Sequence, residues 1–229
     1  MLFLSESDVQ RLLTVREAID AVEEAFKARA LTKFATELGA TDARIISTND
    51  VIAERRAVLK CKYWCSQYGI NWSCPPRVPS VEEFRSILKE YKYVMVIIFK
   101  SSAEVSAKAT DLLTCREALG VYKGMKELES FYKIWEEDKR KAHEALLKLE
   151  KFAFTNGFPF ALGLRAGSCT LCPKCDVTKP CVHPEMLRFS PESVGINLIK
   201  TLKNAKMSLN VPVSKLGEKP NIVMMLLIT

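Results

Sequence analysis

The chain has 229 residues, of which 48% are hydrophobic and 27% are charged, a composition typical of a globular protein with a buried core. No apolar run reaches the roughly 20 residues that a membrane-spanning helix needs, and the first residues lack the basic-then-apolar pattern of a signal peptide. We therefore expect a cytoplasmic protein that does not act in a membrane.

The net charge of +7 is spread over lysines that alternate with acidic residues, as in residues 136–141. Alternating charges are typical of solvated helix faces, so they do not indicate nucleic-acid binding. A weaker interpretation is attraction of an acidic redox partner or an anionic substrate. The eight cysteines indicate metal binding, because cytoplasmic thiols stay reduced and rarely form a disulfide scaffold.

Residues 1–38 are predicted to form an N-terminal helical segment. Two capping-box patterns, Ser5-x-x-Asp8 and Thr14-x-x-Glu17, open a short helix over Glu6–Leu13 and a longer helix after it. The longer helix repeats apolar residues at helical spacing on one face, which comprises Ala18, Ile19, Val22, Ala25 and Phe26. We expect this segment to pack outside the main domain or to mediate a homodimer.

The first thirty residues also resemble the opening of the ornithine cyclodeaminase and mu-crystallin family. That family binds a nicotinamide cofactor through a glycine-rich fingerprint, and this chain contains no G-x-G-x-x-G sequence. The resemblance therefore does not imply that enzyme activity, and it is compatible with a borrowed packing element or with chance similarity between amphipathic helices.

Residues 39–229 are predicted to form one cysteine-rich domain. The expected strands are Ala43–Ile46, Tyr93–Phe99, Phe158–Leu164 and Ile222–Ile228. The expected helices are Val81–Glu90 with Ser80 as its cap, Ser102–Gly120, Val121–Phe154, and a helix opened by Ser190-Pro191-Glu192. This order predicts an α/β or α+β fold with a central sheet of four to five strands flanked by helices, from which two cysteine-rich metal-binding loops project. His143 is assigned to the solvated face of the long helix.

The first cysteine-rich stretch, Cys61–Pro76, places Cys61, Cys65 and Cys74 within fourteen residues. Its double proline rules out a continuing helix, and Gly69 permits a turn that folds Cys74 back toward the other two thiols. Three thiols this close together favour a metal role. The neighbouring aromatic residues are expected to shield the metal from water, and they are Tyr63, Trp64, Tyr68 and Trp72.

The second stretch carries the stronger signal. Cys169, Cys172 and Cys175 recur at every third residue, and Cys181 follows six residues later. This spacing is typical of the ligands of cubane iron–sulfur clusters, whereas structural zinc usually takes two well-separated pairs of ligands. Zinc remains the alternative metal.

Two further residues are candidates near these stretches. His183 is expected to act as a hydrogen-bond donor more often than as a ligand. Cys115 is the spare thiol that would complete the three-cysteine site, although a lone cysteine among apolar residues is more often inert core.

The paired motifs resemble a cysteine-rich domain-of-unknown-function family of predicted metal-binding proteins, common in anaerobic archaea and bacteria. The likeness runs from about residue 40 to the C-terminus. The matching positions are Cys61, Cys65, Tyr68-Gly69, Cys74-Pro75-Pro76, Tyr91, Gly167, Cys169, Cys172, Cys175, Cys181, His183-Pro184, Arg188-Phe189-Ser190 and Glu192–Ile196. Trp64 and Phe189 depart from the glycine and proline that the family usually has there. The resemblance implies metal binding, with an iron–sulfur cluster as the expected metal, and no particular reaction.

Three functions are compatible with these patterns. The first is a redox protein with one or two [4Fe–4S] clusters that passes electrons to a partner protein. The second is an enzyme in which a cluster held by three cysteines, Cys61, Cys65 and Cys74, leaves one iron open to a substrate, with Lys60, Lys62 and Arg77 close by in the sequence. The third is a zinc-stabilised interaction module.

Overall fold

The computed structural model describes residues 5–6, 15–104, 126–208 and 219–229. The predicted short helix Glu6–Leu13 and the predicted helix Ser102–Gly120, with its Cys115, lie mostly outside these residues. Within them, no helix is long and apolar enough to cross a membrane.

Four strands form one sheet at the centre of the described structure. They are β1 (Asp42–Ser47), β2 (Tyr93–Lys100), β3 (Leu162–Leu164) and β4 (Asn221–Ile228). Their order across the sheet is β1-β2-β4-β3, and every neighbouring pair is antiparallel. The prediction of a central sheet flanked by helices is therefore confirmed, and the antiparallel pairing makes the fold α+β.

Strand β3 is shorter than the prediction Phe158–Leu164. Phe158–Ala161 form a turn that the Ala161 N–H closes by donating to the Phe158 carbonyl at 3.1 Å. Pro159 in this turn has no N–H to donate to a neighbouring strand, so pairing starts only at Leu162.

The helices flank both faces of the sheet. In chain order they are α1 (Val15–Glu37), α2 (Arg55–Trp64), α3 (Val81–Leu88), α4 (Lys126–Thr155) and α5 (Leu198–Asn204), with short 3-10 turns at Thr48–Asp50 and Glu192–Val194. The predicted cap of α3 is confirmed, since Ser80 and Glu83 form a reciprocal capping box.

The helix predicted to start at Ser190 is two elements instead of one. A 3-10 turn over Glu192–Val194 ends at Gly195, whose φ of 92° lies in the left-handed region. The chain then restarts as α5, for which Asn197 provides the cap by accepting a hydrogen bond from the Lys200 N–H. A continuous helix is therefore ruled out by the backbone at Gly195.

The core has two halves, one on each face of the sheet. On one face, Met95 and Ile97 pack with Leu31 of α1 and Leu146 of α4. On the other, Val94 and Val96 pack with side chains of α3 and α5, including Phe84 and Leu202. Strands β2 and β4 are thus buried on both faces, which explains why each reads as an almost continuous apolar run.

Helix α1 belongs to the core only through its C-terminal half. Leu31 and Ala35 are buried, and the Phe34 ring stacks on Phe152 of α4 at a centroid distance of 4.4 Å. The N-terminal half leaves a row of apolar side chains exposed, namely Val15, Ile19, Val22 and Phe26. The homodimer contact predicted from the sequence would use this exposed row, and it stays a prediction.

Helix α4 is fastened to β3 and to the segment after the second cysteine stretch. Glu150 accepts hydrogen bonds from the Gly163 N–H at 2.7 Å and from Arg188 Nε at 2.9 Å. A Cβ at Gly163 would lie 2.7 Å from the Glu150 carboxylate, so this close approach requires glycine. The chain entering and leaving the second cysteine stretch is therefore held against one helix.

The assignment of His143 to a solvated helix face is wrong. Only 2% of the residue is exposed. The Met186 main chain acts on the pKa of its ring, so the chain that follows the second cysteine stretch lies against this face of α4. Burial, and then the charges of Arg165 and Arg188, lower the pKa of His143 to about 4.

We predict that His143 makes stability depend on pH between about 6.5, its value in the unfolded chain, and about 4. In this window the unfolded chain binds a proton that the folded protein does not, so stability falls as pH falls. The loss attributable to His143 is about 3 kcal/mol, measured as the difference in urea-unfolding free energy between wild type and His143→Leu across the window. Equal pH slopes in the two proteins would contradict the prediction.

Candidate metal centre

The first cysteine-rich stretch (Cys61–Pro76) and the second (Cys169–His183), called the two cysteine segments from here on, meet at Cys169. The Cys169 N–H donates to Ser73 Oγ at 2.8 Å, and its carbonyl accepts from Asn71 Nδ2 at 3.0 Å. The indole N–H of Trp72 donates to the Lys179 carbonyl at 3.0 Å, which adds a second contact between the segments. Both main-chain groups of Cys169 are therefore fixed by the first segment.

Asn71 and Ser73 are themselves held in place by a local turn. Asn71 Oδ1 accepts from the Ser73 N–H at 3.0 Å and from the Ser73 hydroxyl at 2.9 Å. Both residues are buried. Because an asparagine that binds the backbone two residues on fixes its own loop, the partners of Cys169 are oriented before any metal binds.

Gly69 supplies the predicted turn. Its φ is 74°, its N–H donates to the Pro75 carbonyl at 2.9 Å, and its carbonyl accepts from Arg77 Nη1 at 2.6 Å. These bonds close the loop between Cys65 and Cys74 and bring the Cys74 end back toward the helix.

The first cysteine segment is only partly a loop. Cys61 lies in the last turn and a half of α2, and Cys65 directly follows its end at Trp64. The residues before Cys61 contain no proline or glycine, so a helix extends into the segment that the sequence predicted to be a loop. Positions i and i+4 of a helix lie on one face, which places Cys61 and Cys65 side by side, and Cys74 follows from the loop.

The predicted aromatic shield is also only partly present. Tyr63 and Trp64 are 68% and 54% exposed, whereas Tyr68 and Trp72 are half-buried. Tyr63 and Trp64 of α2 thus face solvent, whereas Trp72 contacts the Lys179 carbonyl.

The second segment is an irregular loop after β3. Cys169, Cys172 and Cys175 line a cavity of about 1050 Å³. Gln67 and Asn71 of the first segment line the same cavity. A loop whose three regularly spaced thiols surround one cavity is an arrangement that could hold an inorganic centre.

Cys181 lies close enough to this loop for its charge to act on Cys172. It accepts a hydrogen bond from the His183 N–H at 3.4 Å. The structure therefore gives His183 a donor role through its main chain, while its ring Nδ1 lies 4.0 Å from a Glu185 carboxylate oxygen.

The thiols influence one another across the two segments. Burial raises the pKa of Cys61 to about 11, and the charges of Cys65, Glu192 and Cys74 add to the rise. Burial also raises the pKa of Cys74 to about 11, and Cys65 and Cys169 act in the same direction. Metal ligation requires thiolates, so binding must displace protons from these groups.

Cys169 is the thiol common to both groups. Its charge contributes to the raised pKa of Cys74 and, after burial, to the raised pKa of Cys172. The two groups of candidate ligands are therefore neighbours, with Cys169 at their junction.

Arg165 lies at this junction and is fully buried, with 0% exposed. Its Nη2 donates to Thr170 Oγ1 at 3.4 Å, whereas its Nε and Nη1 have no hydrogen-bond partner among the described residues. Burial lowers the pKa of Arg165, and the charges of Cys169 and Glu136 oppose that shift. A guanidinium beside these thiols favours the anionic form that metal ligation needs.

A single metal ion needs its ligand atoms close together. A zinc ion with tetrahedral Zn–S bonds of about 2.3 Å holds its sulfurs about 3.8 Å apart. Among the described residues, no three His, Cys, Asp or Glu side chains are grouped so that they could hold one metal ion.

Asn71, Ser73 and Arg165 were not among the site residues predicted from the sequence. The Asn71-x-Ser73 spacing is a turn signal that would have indicated the local hydrogen bonds, although not their partner Cys169. Arg165 gives a weaker signal, as a charged residue placed directly after an apolar strand.

The family model described as "Predicted metal-binding protein (DUF2284)" matches residues 44–228, a range that contains both cysteine segments. No curated protein and no solved structure matches the chain.

We predict that Ser73→Ala lowers the free energy of unfolding of the metal-free protein by about 1–3 kcal/mol, because the Cys169 N–H loses its buried acceptor. Ser66→Ala, at an exposed serine of the same segment, is the control and should change stability by less than about 0.5 kcal/mol. Urea unfolding under reducing conditions measures both. Equal effects of the two substitutions would show that the contact with Cys169 does not hold the segments together.

Proposed function

The chain belongs to this family of predicted metal-binding proteins, and we propose that its metal is an iron–sulfur cluster of the [4Fe–4S] type that serves electron transfer with a partner protein. The observation that carries the proposal is the meeting of both cysteine segments at Cys169, beside the buried Arg165. A zinc site would need neither a shared junction nor an unpartnered buried cation.

Cys169, Cys172, Cys175 and Cys181 are the proposed ligands of one cluster. Three of them line the cavity, and the fourth is close enough to act on Cys172. Bound in this way, a cluster of this type takes up and releases one electron at a time. Asn71 and Ser73 keep Cys169 in position while the charge of the centre changes.

Cys61, Cys65 and Cys74 are the proposed ligands of a second, adjacent centre. Their thiols act on one another electrostatically, and Cys74 interacts with Cys169 of the first group. Two neighbouring centres would let an electron that enters at one leave from the other.

The proposed partner is a one-electron redox protein with an acidic surface, in a reducing cytoplasm. Exposed cations lie around the cysteine segments, among them Lys62, Arg77 and Lys179. The Arg77 guanidinium lies 5.4 Å from the Trp72 ring centre, and Trp72 contacts the Lys179 main chain, so two of these cations share one surface. In the transfer itself, the reduced partner loses one electron and this protein gains it.

Anaerobic purification followed by iron, zinc and acid-labile sulfide analysis tests the proposal. We expect equal amounts of iron and sulfide, about four or eight of each per chain. Cys172→Ser should lower both, whereas Ser66→Ala, the control at an exposed serine of the first segment, should leave them unchanged. Stoichiometric zinc without sulfide would overturn the proposal in favour of a structural zinc module.

A second candidate function is favoured by the size and lining of the cavity. Besides three cysteines, its wall includes the polar side chains of Gln67, Asn71 and Glu136, which a substrate would contact. In that case the open iron would belong to a cluster held by Cys169, Cys172 and Cys175, whereas the enzyme alternative drawn from the sequence placed it at Cys61, Cys65 and Cys74.

Reduction kinetics separate the two candidates. For electron transfer, we expect rapid reduction by an acidic ferredoxin that slows when Lys174 and Lys179 are both replaced by glutamate. High salt should remove this difference. The same charge reversal at Lys33 and Lys203, on α1 and α5, is the control and should have a smaller effect. Slow, salt-independent reduction, together with an electron paramagnetic resonance shift on adding small molecules, would favour the enzyme.

A further inference from the structure

Resting on the proposed iron–sulfur function, we infer that Arg165 is the charge-compensating residue of the metal centre and sets its reduction potential. Arg165 lies at the junction of the two cysteine segments and is not itself a ligand.

Arg165 is poorly satisfied by the protein alone. It has the largest of the fully buried side chains in the described structure, yet the hydrogen bond that its Nη2 donates to Thr170 Oγ1 is long at 3.4 Å. Its Nε and Nη1 have no partner among the described residues. A buried guanidinium with unused donors is costly, so its presence indicates that an anion completes its surroundings.

Candidate anions around Arg165 include thiols of the proposed ligands. The charges of Cys169 and Cys74, one from each segment, act on the guanidinium. Glu136 contributes a further negative charge, and its Oε2 is itself buried without a partner in the described structure. Arg165 therefore interacts with both cysteine groups at once.

The physical consequence depends on the charge of the centre. Four thiolates and a cubane core make an anionic assembly, and reduction adds another negative charge. A fixed cation in a low-dielectric site stabilises the reduced form more than the oxidised form, and it therefore raises the potential. Arg165 is in this sense a positioning and tuning residue.

The first test compares Arg165→Met, which removes the charge, with Arg165→Lys, which keeps it. In the cluster-bearing protein, Arg165→Met should lower the equilibrium constant for reduction at least tenfold, which is about 59 mV for one electron. Arg165→Lys should retain most of the wild-type potential. Arg77→Met, which removes an exposed cation of the first segment, is the control and should shift the constant by less than about twofold because water screens its charge.

The second test measures the stability of the metal-free protein, in which removal of the Arg165 charge is expected to be favourable. Without the anionic centre, Arg165 is an inadequately compensated buried charge, so Arg165→Met should raise Tm by about 2–4 °C. A residue with a merely structural role would lower Tm on substitution in both the metal-free and the loaded protein.

The outcomes separate the inference from the proposed function. A wild-type protein without iron and sulfide overturns both. A cluster whose potential is unchanged in Arg165→Met overturns the inference alone. Loss of the cluster from Arg165→Met but not from Arg165→Lys supports it, whereas loss from both, with a lower Tm of each metal-free variant, overturns it.

Discussion

The hydrogen bonds at Cys169 are the constraint on which the rest of the site depends. Its N–H and carbonyl are bound by Ser73 and Asn71, residues 96 and 98 positions earlier in the chain. Each segment alone has thiols at ligand spacing but lacks a rigid secondary structure around most of them. Joined at Cys169, the two segments form one region in which thiols, a cavity and a buried cation are neighbours.

The scaffold explains why this junction is stable. The central strands β2 and β4 are buried on both faces, and α4 spans one of them. Glu150 of α4 binds Gly163 before the second segment and Arg188 after it, so both ends of the cysteine loop are tied to the same helix. Because both ends of the loop are fixed, its irregular backbone can place several thiols close together while the surrounding helices and strands stay regular.

Local sequence signals predicted most of the elements but not the contacts between them. The apolar runs of β2 and β4 and the Ser80–Glu83 capping box were predictable, because strand burial and helix capping leave patterns within a few residues. The burial of His143 was not, since it depends on a loop more than forty residues away, near Met186. The role of Arg165 was likewise not predictable, because it depends on Cys169 and Cys74 and no sequence periodicity relates these residues to Arg165.

The most direct test of the central claim is diffraction at the iron absorption edge from crystals grown without oxygen. We expect anomalous iron density beside Cys169, with thiolate ligands from the second segment and with Asn71 and Ser73 still bound to the Cys169 main chain. Anomalous density at the zinc edge in place of iron, or iron sites remote from Cys169, would contradict the account.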